Sequence, residues 1–253
     1  MGGVIKRIAV TGGAGALGAA VVQRLRDRAD VIVVTRRPDV VPQDREVRRA
    51  DFDSIEPAAF AGADAVLVVS TDERDGRKKA AQHAAAFTAA AAAGVKHLVY
   101  TSLVGCDGPP DLLNAAHRDS EAALRGTGVP WTALRNNLYF EGLDERQATT
   151  GRYVSNHGTG AVSYVDRDRC AEVAAATLLG EARGVVEVHG PRAWDAVAVA
   201  ELFGQRLGRE VIPVLLDDQE YRDHLLGTGA PAALAEALVA LGQAVRAGVY
   251  LSR

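Results

Sequence analysis

Glycines at positions 12, 13, 15 and 18 stand between an apolar run, Ile8-Ala-Val-Thr11, and a helical pattern beginning Ala19-Ala-Val-Val-Gln-Arg-Leu-Arg26. Two spacings overlap. Gly13, Gly15 and Gly18 give G-x-G-x-x-G, and Gly12, Gly15 and Gly18 give G-x-x-G-x-x-G. A strand, a tight turn and a helix in this order aim a helix N-terminus at an anion. Glycine also lets the backbone take a positive φ and approach a pyrophosphate without a Cβ in the way. The chemistry predicted is dinucleotide binding, the alternative being a plain strand-to-helix turn. The kind of dinucleotide is decided about twenty residues further on, where a carboxylate would receive the ribose 2′-hydroxyl. That position reads Val33-Val-Thr-Arg-Arg-Pro38 and holds no carboxylate. Arg36, assisted by Arg37 or Thr35, is suited to a 2′-phosphate, so the pattern predicts NADP. Two solvated arginines in a loop are the alternative.

Further candidates fall where later strands end. Asp53, in Asp51-Phe-Asp53, borders an adenine or, with Ser54, caps the next helix. Ser70 and Thr71 lie over the crevice at the end of a fourth strand and meet ribose or pyrophosphate, or simply end the strand. Tyr100-Thr-Ser102 ends a fifth strand. In the usual short-chain reductases a Ser here precedes a Tyr-x-x-x-Lys pair, whose phenol gives a proton to the substrate carbonyl. The matching helix reads Leu113-Asn-Ala-Ala-His-Arg-Asp-Ser-Glu121. Aligning Glu121 with the acid four residues past the Lys puts His117 at the Lys position and Leu113 at the Tyr position. The usual carbonyl reduction is therefore disfavoured. His117 is expected to bond the nicotinamide ribose or donate a proton, since imidazole titrates near neutrality, or else to be a polar surface histidine. Asp111 or Asn114 caps its helix.

These residues must be carried by alternating elements. Strand patterns are read at 7–10, 30–35, 46–50, 63–70, 95–101 and 129–134, and helix patterns at 15–28, 76–93 and 111–125. This predicts an α/β fold, a Rossmann doubly wound parallel sheet with ligands beyond the carboxyl ends of its strands. The second half is less regular. Strands are expected at 151–154, 161–165, 185–189 and 211–215, and helices at 167–179, 195–207, 219–226 and 231–247. The expected organisation is an NADP-binding core over 1–134 and a smaller α/β substrate-binding lobe over 135–253, interleaved with the core.

Four segments resemble the NmrA-like branch of the atypical short-chain dehydrogenase/reductases, and most specifically its bacterial NADPH-dependent quinone oxidoreductases. They are Thr11-Gly-Gly-Ala-Gly-Ala-Leu-Gly18, Ala93-Gly-Val-Lys-His-Leu-Val-Tyr-Thr-Ser-Leu103, His117-Arg-Asp-Ser-Glu-Ala-Ala-Leu124 and Trp131-Thr-Ala-Leu-Arg-Asn-Asn-Leu-Tyr139. Tyr164-Val-Asp-Arg-Asp-Arg-Cys-Ala171 and Val188-His-Gly-Pro191 extend the likeness over nearly the whole chain. The resemblance implies NADPH in the first lobe and a cleft against the second, with hydride passing directly to a quinone without flavin or metal. Its implied cofactor contacts are Gly12, Gly15, Ala16, Leu17, Arg36, Asp53, Ser70 and Thr71. Its implied cleft includes Ser102, Asn136, Asn137, Leu138, Tyr139 and Phe140, with Asn137 and Tyr139 hydrogen-bonding a quinone oxygen or merely closing a strand edge. Members of that subgroup usually continue past the position of Arg253, which leaves the outline of the acceptor site open. A polycyclic aromatic quinone of secondary metabolism is one acceptor the resemblance allows, and a non-catalytic NADP-sensing regulator is the alternative role.

Composition bounds the remainder. The 253 residues carry a net charge of −3, which gives no basic footprint for nucleic acid. Cys106 and Cys170 lack metal-ligand spacing. There is no signal-peptide apolar core, and the alanine-rich run 84–93 is too short and weakly apolar to span a bilayer. A cytoplasmic protein acting on a small molecule, with no nucleic-acid or membrane partner and with a homodimer as one assembly, is the expectation.

Overall fold

A computed structural model describes residues 7–42, 44–108 and 113–252. In chain order the strands are β1 (Arg7–Thr11), β2 (Asp30–Thr35), β3 (Glu46–Arg49), β4 (Ala65–Val68), β5 (His97–Leu103), β6 (Trp131–Asn136), β7 (Arg152–Ser155), β8 (Gly184–Val188) and β9 (Ile212–Leu215). The helices are α1 (Ala16–Leu25), α2 (Gly76–Ala92), α3 (Ala115–Gly126), α4 (Arg167–Leu179), α5 (Ala196–Leu207), α6 (Asp218–Gly227) and α7 (Ala232–Arg246). They form two compact units. The first uses the described residues up to Cys106 with Ala115–Asn136 and Arg167–Val188, and the second uses Asn137–Asp166, the residues from His189 and the short segment before Ala115.

The first unit is built on a seven-stranded sheet in the order β3-β2-β1-β4-β5-β6-β8, parallel at every pairing. Both faces are covered, which is why its strands read as near-continuous apolar runs. Ala9, Ile32, Val66, Leu98 and Ala133 face the α2–α3 layer around Phe60, Phe87 and Tyr100. Alternation along the strands turns Ile8, Val10, Val33 and Leu67 the other way, to the side where α1 packs on α4. Strand order reverses between β1 and β4, where open α/β sheets hold ligands. The Val69 N–H donates to Thr11 Oγ1 at 2.9 Å and ties the two strand ends together there.

The second unit has its own core, with Tyr153, Phe203, Val199 and Val211 packed against Phe140 and Trp194. β7 pairs with β9 in parallel. Arg246 grips Asp218 with two bonds of 2.8 and 2.9 Å and so joins α7 to α6.

Several expected boundaries move. Residues 161–165 form no strand, only isolated bridges from Val162 to Trp194 and from Val165 to Tyr139. Strands β5 and β6 run two residues beyond the expected ends, to Leu103 and Asn136, because their register continues through Leu103↔Asn136. The expected division at 134/135 gives residues 167–188 to the second lobe. Instead β8 pairs with β6 from Thr132↔Gly184 to Asn136↔Val188, and α4 is drawn with it onto the main sheet. Asp111, an expected helix cap, lies outside the described residues. Among the described residues no helix is long and apolar enough to cross a membrane.

Candidate functional site

The glycine loop has the geometry its sequence predicts. Gly12 sits at φ +61, and its carbonyl accepts the Gly15 N–H at 2.8 Å, closing the turn after β1. A Cβ on Gly18 would lie 2.3 Å from the Gly12 oxygen, so only glycine lets α1 begin this close to the turn. Gly15 is the N-cap of α1, with no side-chain cap and no acid in the first turn. The N–H groups of Ala16, Leu17 and Gly18 have no intrahelical acceptor, as in any first turn, and the helix dipole adds partial positive charge. Gly12, Gly15 and Ala16 are exposed, whereas Leu17 and Gly18 are buried and serve a ligand through backbone alone.

A cavity of about 320 Å³ runs from Gly12 and Gly15, past Arg36, to Asp53, Ser70 and Thr71. It gathers candidates from the ends of four successive strands. Arg36 is 62% exposed, and its Nη2 makes only a loose 3.4 Å contact with the exposed Asp72. Arg37 leans the other way, its Nη2 3.4 Å from the Ala14 carbonyl, while its N–H donates to Thr35 Oγ1. Asp53 is not a helix cap. It accepts from Gln82 Nε2 at 2.7 Å and lies 3.4 Å from Lys78 Nζ, and the Gln82 hydrogen bond, with help from Lys78, lowers its pKa. The Ser70 N–H donates to Thr101 Oγ1, and the Thr71 hydroxyl oxygen is buried with no partner among the described residues.

Arg49 escapes a reading by spacing. It lines a second cavity, of about 530 Å³, together with Arg36. β2 and β3 pair with Thr35 opposite Arg49, which sets the two guanidinium-bearing strand ends side by side. Its neighbour Arg48 is occupied by Glu46 and by the carbonyls of Ala58, Ala59 and Ala61. The signal was the pairing of two strand ends, which a linear motif does not contain.

Beyond β5 the chemistry divides into two buried clusters. In one, the Ser102 hydroxyl donates to Glu121 Oε1 at 2.7 Å, and Arg135 donates to both carboxylate oxygens at 2.9 and 2.8 Å. Burial opposes the Glu121 charge, but the bonds from Arg135 and Ser102 prevail and hold its pKa below the usual range. The Ser102 proton expected at a substrate is thus committed to this ion pair. In the other cluster, Tyr100 Oη lies 2.8 Å from His117 Nδ1 and 3.1 Å from His83 Nδ1. Burial and the nearby Lys79 push His117 down to about 4, while burial and the neighbouring His117 push His83 down to about 3. Near neutral pH both rings are uncharged, so His117 holds no readily dissociable acid proton. Such a ring suits the other expected role, a hydrogen bond to the nicotinamide ribose, better than that of an acid.

Asn137 and Tyr139 belong to the second unit. The Asn137 amide donates to His189 Nδ1 and to the Tyr250 carbonyl, both at 2.9 Å, and its oxygen accepts the Leu138 N–H. The two N–H groups expected at a quinone oxygen are engaged inside that unit. Tyr139 is half-buried and bridges Val165 through its backbone.

Residues 12–181 match the profile of a family described as NAD(P)H-binding. The chain belongs to the NAD(P)H-binding family. Quinone oxidoreductase 2 of Escherichia coli strain K12 is 30% identical to this NAD(P)H-binding protein over 245 residues, covering 91% of this chain and 85% of the relative. The crystal structure of that E. coli NADPH-dependent quinone oxidoreductase with NADPH matches with a TM-score of 0.87 at 28% identity, over 97% and 91% of the two chains. The (4-alkanoyl-5-oxo-2,5-dihydrofuran-3-yl)methyl phosphate reductase of Streptomyces griseus is 34% identical over 223 residues, 80% of this chain and 74% of the relative. Citrobacter sp. triphenylmethane reductase, solved with NADP(H), is 30% identical with a TM-score of 0.83, covering 98% and 92%. This NAD(P)H-binding protein is thus an NADPH-dependent oxidoreductase, an NmrA-like atypical short-chain dehydrogenase/reductase close to the quinone oxidoreductases. Its residues fit NADP. Gly12 and Gly15 are exposed, the first turn of α1 carries no acidic residue, and two arginines stand at the strand ends where a carboxylate would receive a 2′-hydroxyl.

Proposed function

We propose that this oxidoreductase passes hydride from NADPH directly to a quinone-type acceptor, with Arg36 selecting the 2′-phosphate. The observation that carries this reading is the replacement of the proton-donating Tyr by Leu113, together with an uncharged imidazole at His117. Bound NADP supplies the hydride. What the chain must then stabilise is negative charge on the acceptor. An alkoxide from a simple ketone is strongly basic and calls for an acid. The phenolate-like oxygen of a reduced quinone spreads its charge into the ring and calls only for a hydrogen bond. The names of two relatives, a quinone oxidoreductase and a (4-alkanoyl-5-oxo-2,5-dihydrofuran-3-yl)methyl phosphate reductase, support a conjugated acceptor of this kind.

In this reading His117 touches the acceptor and donates a hydrogen bond. Ser102, Glu121 and Arg135 tie the ends of β5 and β6 to α3. The test follows NADPH absorbance with a panel of acceptors: benzoquinone and naphthoquinone types, polycyclic quinones, and simple aliphatic ketones as the control. Turnover of quinones with no turnover of ketones supports the proposal. Binding of NADPH without oxidation by any acceptor supports a nucleotide-sensing role instead.

A further inference from the structure

The Tyr100 cluster has a direction. A main-chain N–H can only donate, and that of Thr71 lies 3.0 Å from His83 Nε2. His83 Nε2 is therefore an acceptor, and the neutral ring carries its proton on Nδ1. That proton faces Ser120 Oγ at 2.8 Å and Tyr100 Oη at 3.1 Å. The Ser120 hydroxyl sends its own proton to the Ala116 carbonyl at 2.6 Å, so Ser120 accepts from His83. Tyr100 likewise accepts from His83, and its own proton faces the Ser70 hydroxyl and His117 Nδ1 at 2.8 Å, of which the imidazole nitrogen is the more basic acceptor. The reverse arrangement would aim two Nδ1–H groups at one phenol oxygen and turn the phenol proton to the weaker Ser70 acceptor.

We propose that Tyr100 and His83 are positioning residues that hold His117 in the tautomer bearing its proton on Nε2, so that it acts as a neutral hydrogen-bond donor. Thr71 lines the cofactor cavity, so the chain of bonds runs from the end of β4 to the residue read as facing the acceptor. His117 is half-buried, and the hydrogen bond of its ring to Tyr100 is made at Nδ1. The low pKa values keep both rings neutral at working pH, as two adjacent tautomers of opposite sense require. No proton leaves His117. The charged oxygen of the acceptor accepts its hydrogen bond and takes a proton from water afterwards. The role of the bond rests on the quinone reading, but the tautomer does not.

The test is long-range proton–nitrogen NMR of the nitrogen-15-labelled protein without cofactor at neutral pH. His83 should be protonated on Nδ1 and His117 on Nε2. In Tyr100→Phe the His117 ring should become a mixture of tautomers, while His83 stays fixed by Thr71. Ser120→Ala, which leaves the phenol in place, should not change His117. A wild-type His117 protonated on Nδ1 would overturn the proposal, and so would an unaltered ring in Tyr100→Phe. The wild-type spectrum decides the matter even if the variant does not fold. Tyr100→Phe should also lower kcat on the order of tenfold at unchanged KM, less than the hundredfold or greater loss on removing an oxyanion donor itself. The expected spectra with unchanged kcat would keep the tautomer and remove His117 from the reaction.

Discussion

In the proposed reading Arg36, with Arg49 beside it, selects the dinucleotide. Arg36 is mostly in solvent, its contact with Asp72 is long, and Arg49 lies against the same cavity from the neighbouring strand end. A hydrogen bond to a charged group contributes about 1.5–3 kcal/mol, so Arg36→Ala should weaken NADPH about ten- to a hundredfold. NADH binding should change little, and Arg49→Ala should give a smaller loss of the same selectivity. Fluorescence titration with both cofactors measures this, and equal losses for the two would contradict it. At this scale the sequence was legible where a type and a spacing were enough. The missing carboxylate after β2 pointed to Arg36 directly. His83 was not legible, because it lies in the alanine-rich α2 and acquires meaning only when β4, β5 and α3 bring Thr71, Tyr100 and Ser120 around it.

At the scale of elements, two junctions fix the site. The first is the turn between β1 and α1. In Gly18→Ala the new Cβ would meet Gly12 backbone rather than a mobile side chain, so the turn itself must shift. We expect a stability loss of about 1–3 kcal/mol and weaker NADPH binding, read by denaturant unfolding and titration. Unchanged affinity would show that loop shape is not what binds the pyrophosphate. The second junction is the Glu121–Arg135 pair between α3 and β6, with side chains only 1% and 3% exposed. Glu121→Gln leaves the Arg135 charge without its full partner, and breaking such a pair costs about 3–5 kcal/mol. A urea midpoint near that of the wild type would contradict this. Element types were readable from apolar runs and glycine punctuation. The ends of β5 and β6 were not, because they are set by each other's register.

For the whole molecule, the buried histidines set the pH dependence of stability. His83 is held down to about 3, and His117 and His157 to about 4, chiefly by burial. The unfolded chain takes up protons near pH 6.5 that the folded chain refuses until much lower pH. Stability should therefore rise with pH through this window and fall as pH drops from about 6.5 toward 4, by about 1.4 kcal/mol per pH unit for each such histidine. Asp218, lowered to about 2 chiefly by its hydrogen bond from Gln243, with Asn156 and Arg246 adding to it, extends the decline below its ordinary range. Urea midpoints at several pH values check this, and a flat profile between pH 7 and 5 would contradict buried neutral rings. The parallel sheet was legible at this scale, but the division of the chain was not. β8 and α4 join the first unit through pairing with β6, across a segment that builds the second, and periodicity carries no record of such a return.

Direct hydride transfer from NADPH to a quinone can be followed within one turnover. Its most direct measurement is a single-turnover reaction of the protein with NADPH deuterated at the transferring carbon, mixed with a naphthoquinone and followed by loss of NADPH absorbance. The account predicts oxidation without added flavin or metal, and a slower rate for the deuterated than for the ordinary cofactor. Tight binding with no loss of absorbance would contradict it.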